Sequence, residues 1–175
     1  YKLRAAVSIG SNAYELVAAN DRFRKLLFEE NSYPFGDNGD NINIRFFSDD
    51  PAIPNDCVVT NQWEFPRASK EGGKRLDLVY IINGIPMVIG EAKSPVRPQV
   101  TWGDGAVDLV HYQKSIPEMF VPNILSFSSE GREIQYAGVG APVDKWGPWY
   151  ADESRKKGDL NAVAHNYGFL IQPER

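Results

Sequence analysis

The feature that most constrains the fold of this chain is an Asn-Gly pair, Asn83-Gly84, between two apolar runs at residues 78–82 and 85–89. Asn-Gly suits the left-handed backbone of a tight two-residue turn, so the pattern predicts a β-hairpin. Charged residues stand at the end of each run that is farther from the turn: Asp77, Glu91 and Lys93. The sequence therefore predicts a hairpin with a buried middle and a charged end.

These three charged residues need a partner or a ligand, because desolvating a charge beside an apolar strand is costly unless it is paired or binds a metal. Two carboxylates, Asp77 and Glu91, supply the hard oxygen ligands that Mg²⁺ prefers. The ammonium of Lys93 could steady a water molecule or the charge on a phosphate. The alternative is a charge trio at an exposed edge of the hairpin. We favour the metal site because the residues close apolar strands and do not interrupt a loop.

The same residues carry a resemblance to a known family. Asp77 followed by Glu91-Ala92-Lys93 resembles the PD-(D/E)xK nuclease motif, with Leu76 in place of the motif's proline. More narrowly, the surrounding sequence resembles the N-terminal nuclease region of the R (restriction) subunit of type I restriction enzymes. The segments that carry this likeness are residues 75–77, 83–86, 91–95, 112–120 and 168–175. The last of them is similar to the segment that leads into that family's motor domain.

The resemblance implies a fold, a reaction and a set of roles. The fold is the α/β restriction-endonuclease-like fold, a central mixed β-sheet flanked by α-helices, and the reaction is Mg²⁺-dependent hydrolysis of DNA phosphodiester bonds. In that family pattern Asp77, Glu91 and the backbone carbonyl of Ala92 would ligate the metal. Lys93 would orient the attacking water or help to deprotonate it, and would offset charge on the scissile phosphate.

A helix after the hairpin supplies two supporting candidates. The resembled family has a Gln-x-x-x-Tyr motif there; Tyr112 fits it, but the glutamine position is Asp108. The two side chains are one helical turn apart and project from one face of the helix. They would lie beside the metal site or the DNA backbone, or they are a helix-capping or surface pair. Both interpretations stay open.

The length of 175 residues suits one domain, residues 1–175. Because the chain starts at Tyr1 without methionine, we expect it to be a fragment of a longer, motor-containing subunit. The resemblance implies that ATP serves the motor part and does not bind here. It also implies double-stranded DNA, the specificity and modification (methyltransferase) subunits, and the motor domains of the same chain as partners. No apolar run approaches a membrane span, and the lone Cys57 suits a cytoplasmic protein.

The formal net charge of −4 argues against strong autonomous DNA binding, because non-specific affinity comes mainly from neutralising phosphates. Basic clusters at residues 67–75 and 155–157 could contact phosphate or could be solvated loop charges. Two rival functions follow. One is a stand-alone DNA-repair nuclease of the same fold, and the other is a catalytically degenerate docking or DNA-binding module.

Apolar spacing and turn residues predict the remaining elements. We expect helices at residues 12–30, 104–115 and 160–164, strands at 58–65, 123–127 and 133–139, a turn at 67–73 and a long loop at 31–56.

The register of the hairpin decides whether the two carboxylates can meet. A regular two-residue turn gives paired residue numbers that sum to 167, as 83 and 84 do, and puts Asp77 opposite Gly90. Glu91 then points to the other face, because side chains alternate along a strand. A β-bulge would raise the sum to 168 and place Asp77 opposite Glu91. Pro86 has no amide proton for a regular ladder, so we expect the bulge.

Overall fold

The computed structural model describes residues 13–28, 32–35, 38–43, 45–65, 73–150, 158 and 160–171. The helices are α1 (Ala13–Phe28), α2 (Trp102–Ser115) and α3 (Leu160–Ile171), with short 3-10 turns at Pro117–Phe120 and Val143–Lys145. The strands are β1 (Ser32–Phe35), β2 (Asp40–Asn43), β3 (Cys57–Phe65), β4 (Lys74–Ile82), β5 (Ile85–Ala92), β6 (Leu125–Ser129), β7 (Ile134–Ala137) and β8 (Gly147–Pro148).

The central sheet has the strand order β3-β4-β5-β6-β7-β8. All neighbours are antiparallel except β5 and β6, which are parallel. A parallel pair needs a crossover connection, and α2 provides it. The prediction of an α/β fold with a mixed sheet flanked by helices is confirmed.

The β4–β5 hairpin contains the predicted bulge. Near the turn Ile82 pairs with Ile85, whereas farther away Val79 pairs with Ile89, so the sum of paired numbers changes from 167 to 168. Asn83 (φ 50°) and Gly84 (φ 81°) both have the left-handed backbone of the predicted tight turn. The apolar pattern explains the shift, because Val79 and Ile89 are both fully buried and must share one face.

The main core lies on the face of the sheet to which Val79 and Ile89 point. Helix α1 contributes Leu16 and Phe23 to it, and α2 contributes Leu109. The opposite face is covered by α3. There the ring of Tyr167 lies 5.8 Å from that of Tyr80 and 4.9 Å from that of Phe127, measured between centroids.

The long loop predicted for residues 31–56 is partly wrong, because β1 and β2 form a small antiparallel hairpin within it. Its turn contains Gly39 (φ 67°) in a second Asn-Gly pair. The two strands have only four residues each and lie among many polar residues, so the sequence shows no clear strand pattern here. The C-terminal helix is longer than the predicted 160–164, since packing of Tyr167 on the sheet outweighs the low helix propensity of Gly168.

The other boundaries differ by a few residues. Helix α2 starts at Trp102 because Thr101 caps it, two residues before the predicted start. The predicted helix start at residue 12, the turn at 67–72 and the basic residues 155–157 lie outside the described residues. In the part of the chain that the structure describes, no helix is long and apolar enough to cross a membrane.

Candidate active site

Glu91 lies near the end of β5, under the first turns of α2. It is only 5% exposed, and its Oε2 atom is buried without a hydrogen-bond partner within the described ranges. A Cβ at Gly105 would lie 2.3 Å from Ser128 Oγ and 3.1 Å from Glu91 Cγ, so the helix can pack this closely only because the residue is glycine. Burial raises the pKa of the Glu91 carboxyl from 4.5 to about 7, and the nearby charge of Asp77 adds to the rise, while a hydrogen bond from Lys93 opposes it.

Asp77 lies on β4, one residue beyond Leu78, which pairs with Gly90 in the shifted register of the hairpin. Its Oδ2 atom accepts a hydrogen bond of 3.0 Å from the backbone N–H of Ala92. On the other side, the β3–β4 ladder has no pair between Asp77 and Gln62, whose φ of 50° interrupts the strand. The Asp77 carboxylate therefore meets the end of β5 at a place where β4 leaves the regular ladder.

Lys93 follows β5 directly and bridges two carboxylates. Its Nζ atom donates to Glu91 Oε1 at 2.9 Å and to Asp108 Oδ2 at 2.5 Å. Burial lowers the pKa of this ammonium, but the hydrogen bonds to Asp108 and Glu91 outweigh that effect and leave it above its usual value. The side chain is 20% exposed. Lys93 is therefore a fixed positive charge at neutral pH.

Asp108 and Tyr112 both lie on α2, one turn apart. Asp108 contacts Lys93, so it belongs to the charged cluster and not to a surface pair. Tyr112 is half-buried against the core. Burial raises the pKa of its hydroxyl, and the negative charges of Glu91 and Asp108 raise it further.

Helix α2 is anchored at its beginning. The Thr101 side chain accepts a hydrogen bond from the N–H of Gly103, and Asp104 accepts one from the N–H of Thr101, which together form a capping box. Ser128 Oγ donates to the Trp102 carbonyl at 2.7 Å and ties the helix to β6. These contacts fix the position of Asp108 on α2 relative to the C-terminal end of β5.

The structure brings the predicted residues to one end of the sheet: Asp77, Glu91, Ala92, Lys93, Asp108 and Tyr112. Sequence reasoning missed Gly105 and Ser128, which shape this site. A glycine in the first turn of a predicted helix was the available signal for a close contact. Among the described residues, no group of three or more His, Cys, Asp or Glu side chains could hold a metal ion.

Residues 2–144 match the family described as the type I restriction enzyme R protein N terminus. The chain belongs to this family. The match includes β4, β5 and α2, and thus every residue of the site described above.

Two curated relatives agree with this assignment. The chain is 29% identical over 171 residues to the type I restriction enzyme HindI endonuclease subunit of Haemophilus influenzae, covering 94% of this chain and 16% of the relative. It is 30% identical over 151 residues to a protein of Methanocaldococcus jannaschii provisionally named the type I restriction enzyme MjaIXP endonuclease subunit, covering 83% and 14%. The chain therefore spans about one sixth of the length of these relatives.

Proposed function

We propose that this chain is the endonuclease domain of a type I restriction enzyme R subunit and that it hydrolyses DNA phosphodiester bonds with Mg²⁺. The observation that carries the proposal is the bulge in the β4–β5 hairpin. Beyond it the paired residue numbers sum to 168 as far as Leu78 and Gly90, whereas a regular hairpin would set Asp77 opposite Gly90. The Asp77 carboxylate then lies at the end of β5, where it accepts a hydrogen bond from the N–H of Ala92, next to Glu91.

The residues at this end of the sheet fit a magnesium ion. Mg²⁺ commonly binds through one or two carboxylates and keeps several waters, so a third acidic side chain is not required. The buried Oε2 atom of Glu91, which has no partner in the described chain, is an oxygen that a cation would satisfy. The N–H of Ala92 points to Asp77, and the carbonyl of the same strand residue points to that side too. Asp77, Glu91 and the Ala92 carbonyl would therefore hold the metal.

The bound metal would make hydroxide available near neutral pH and stabilise charge as the phosphorus–oxygen bond breaks. Lys93 supplies the complementary positive charge. We assign it the roles of orienting the attacking water or helping to deprotonate it, and of stabilising charge on the phosphate. Helix α2 covers Glu91 and limits its access to bulk water.

The decisive experiment replaces Lys93 by alanine in the full parent subunit, assembled with its specificity and modification subunits. We expect DNA cleavage to fall by at least about 100-fold, because one positioned charge-stabilising group is removed. ATP hydrolysis and translocation should stay at wild-type rates, since the site described here contains no nucleotide-binding motif. Lys145→Ala is the matched control, because that lysine is exposed and pairs with its neighbour Asp144.

Full cutting by the Lys93→Ala complex would refute the proposal and favour a docking module. Loss of ATP hydrolysis together with cleavage would indicate a general assembly defect instead, and would remove the support for a catalytic lysine. The family match favours the restriction subunit over a stand-alone repair nuclease. The detection of motor motifs after residue 175 in the parent gene would test that choice independently.

A further inference from the structure

Lys93 has two partners that are not equivalent under the proposed function. Glu91 is a proposed metal ligand, whereas Asp108 is not, yet the same ammonium donates to both. An ammonium and a divalent cation beside the same carboxylate repel each other strongly where water is largely excluded. A cation at the buried Oε2 atom of Glu91 would place a second positive charge beside the Oε1 atom that holds Lys93, and would therefore weaken the contact between Lys93 and Glu91.

Asp108 is suited to keep Lys93 in place when that happens. Its hydrogen bond to Lys93 is the shorter of the two, 2.5 Å against 2.9 Å. Its side chain is 40% exposed, so the carboxylate stays hydrated while it holds the lysine, unlike the 6% exposed side chain of Glu91. The close packing of Gly105 against Glu91 fixes α2, and Asp108 lies almost one turn further along the same helix.

On the basis of the proposed function, we propose that Asp108 is a positioning residue. It keeps the Lys93 ammonium in place when a divalent cation binds Glu91. In the metal-free chain the Lys93 ammonium bridges the carboxylates of Glu91 and Asp108, and its charge competes with a cation for Glu91. When the cation binds, the lysine keeps its bond to Asp108 and remains beside the position of the reacting phosphate. Asp108 would thus act on metal affinity through Lys93, and not through its own charge alone.

A double-mutant cycle on divalent-cation binding tests this inference without any cleavage measurement. Mg²⁺ and Mn²⁺ affinities of the 175-residue chain, free of DNA, are measured by calorimetry for wild type, Asp108→Asn, Lys93→Met and the double variant. Lys93→Met should bind the cations several-fold more tightly, because the competing charge is gone. Asp108→Asn should weaken binding about tenfold when Lys93 is present, which is the scale of one hydrogen bond between charged groups. In the Lys93→Met background, the loss of cation affinity caused by Asp108→Asn should be at least about fivefold smaller.

Two further variants act as controls. Asp144→Asn removes an exposed carboxylate that pairs with Lys145, so cation affinity should change less than twofold. Asp108→Glu keeps a carboxylate and should recover most of the affinity. A second readout is the ¹H–¹⁵N signal of the Lys93 ammonium, which should stay protected from exchange on Mg²⁺ addition in wild type and be lost in Asp108→Asn.

Equal losses from Asp108→Asn in the two backgrounds would overturn the inference, because they would mean that the carboxylate acts directly on the cation. That outcome would leave the proposed function intact. Absence of cation binding by the wild-type chain at millimolar Mg²⁺ and Mn²⁺ would instead overturn the assigned metal ligands, and this inference with them.

Discussion

Replacing Glu91 by glutamine should stabilise the metal-free chain while it removes a proposed metal ligand. The carboxyl is 5% exposed, and its pKa rises from 4.5 to about 7, chiefly because burial disfavours the charge. Below pH 4.5 the carboxyl is protonated in both the folded and the unfolded state. As the pH rises from there, the unfolded state loses the proton first, so the free energy of unfolding falls until the folded state also ionises near pH 7.

The size of the effect follows from that shift. A tenfold change in proton affinity is worth about 1.4 kcal/mol, so the shift from 4.5 to about 7 costs the wild-type chain about 3 kcal/mol across this pH range. Glu91→Gln has no such titration. The difference in melting temperature, Glu91→Gln minus wild type, should therefore increase by roughly 6–12 °C from pH 4.5 to pH 7.5 in a chain of this length.

The assay is thermal unfolding at several pH values in the presence of a chelator, with Glu118→Gln as the control because that glutamate is exposed. Adding Mg²⁺ should stabilise wild type and not Glu91→Gln, since only the wild-type carboxylate binds the cation and stability follows its occupancy. A wild-type-minus-variant difference that does not change with pH would show that Glu91 is not held in a buried, charge-disfavouring site. The buried Oε2 atom of Glu91 would then give no support for a bound cation.

Two other outcomes are expected. Gly105→Ala should lower the free energy of unfolding by about 1–3 kcal/mol in urea titrations and reduce cleavage, because the new Cβ would lie 2.3 Å from Ser128 Oγ; a fully stable variant would contradict the close packing of α2. The isolated chain should bind duplex DNA weakly and without sequence preference, given its net charge of −4; tight, site-selective binding in a fluorescence titration at moderate salt would contradict this.

The hairpin and its bulge could be predicted from the sequence because both depend on local chemistry. Asn83-Gly84 specifies the turn, and the need to bury Val79 together with Ile89 specifies the register beyond it. The contact between Lys93 and Asp108 could not be predicted in this way. The spacing on α2 put Asp108 and Tyr112 on one face, but which face meets the sheet depends on the close approach at Gly105.

The misjudged segments have different causes. The β1–β2 hairpin has strands of only four residues, which give a weak local signal, whereas the second half of α3 depends on tertiary contacts. Tyr167 on α3 packs against Tyr80 and Phe127, which are far away in sequence, so no window around residue 167 contains the reason for the helix. Local reasoning therefore predicted the β4–β5 hairpin and its register better than the elements around it.

The proposed site is contiguous in the chain. The residues that form it lie between Asp77 and Tyr112, on one hairpin followed by one helix. Bringing such groups together closes only short loops, which costs little chain entropy and allows rapid assembly. We therefore expect this segment to acquire its arrangement early in folding, before the C-terminal helix docks. Because the site residues are contiguous, the segment could also be grafted as one unit. A hairpin and one helix would be enough to transfer the whole charged cluster to another β-sheet.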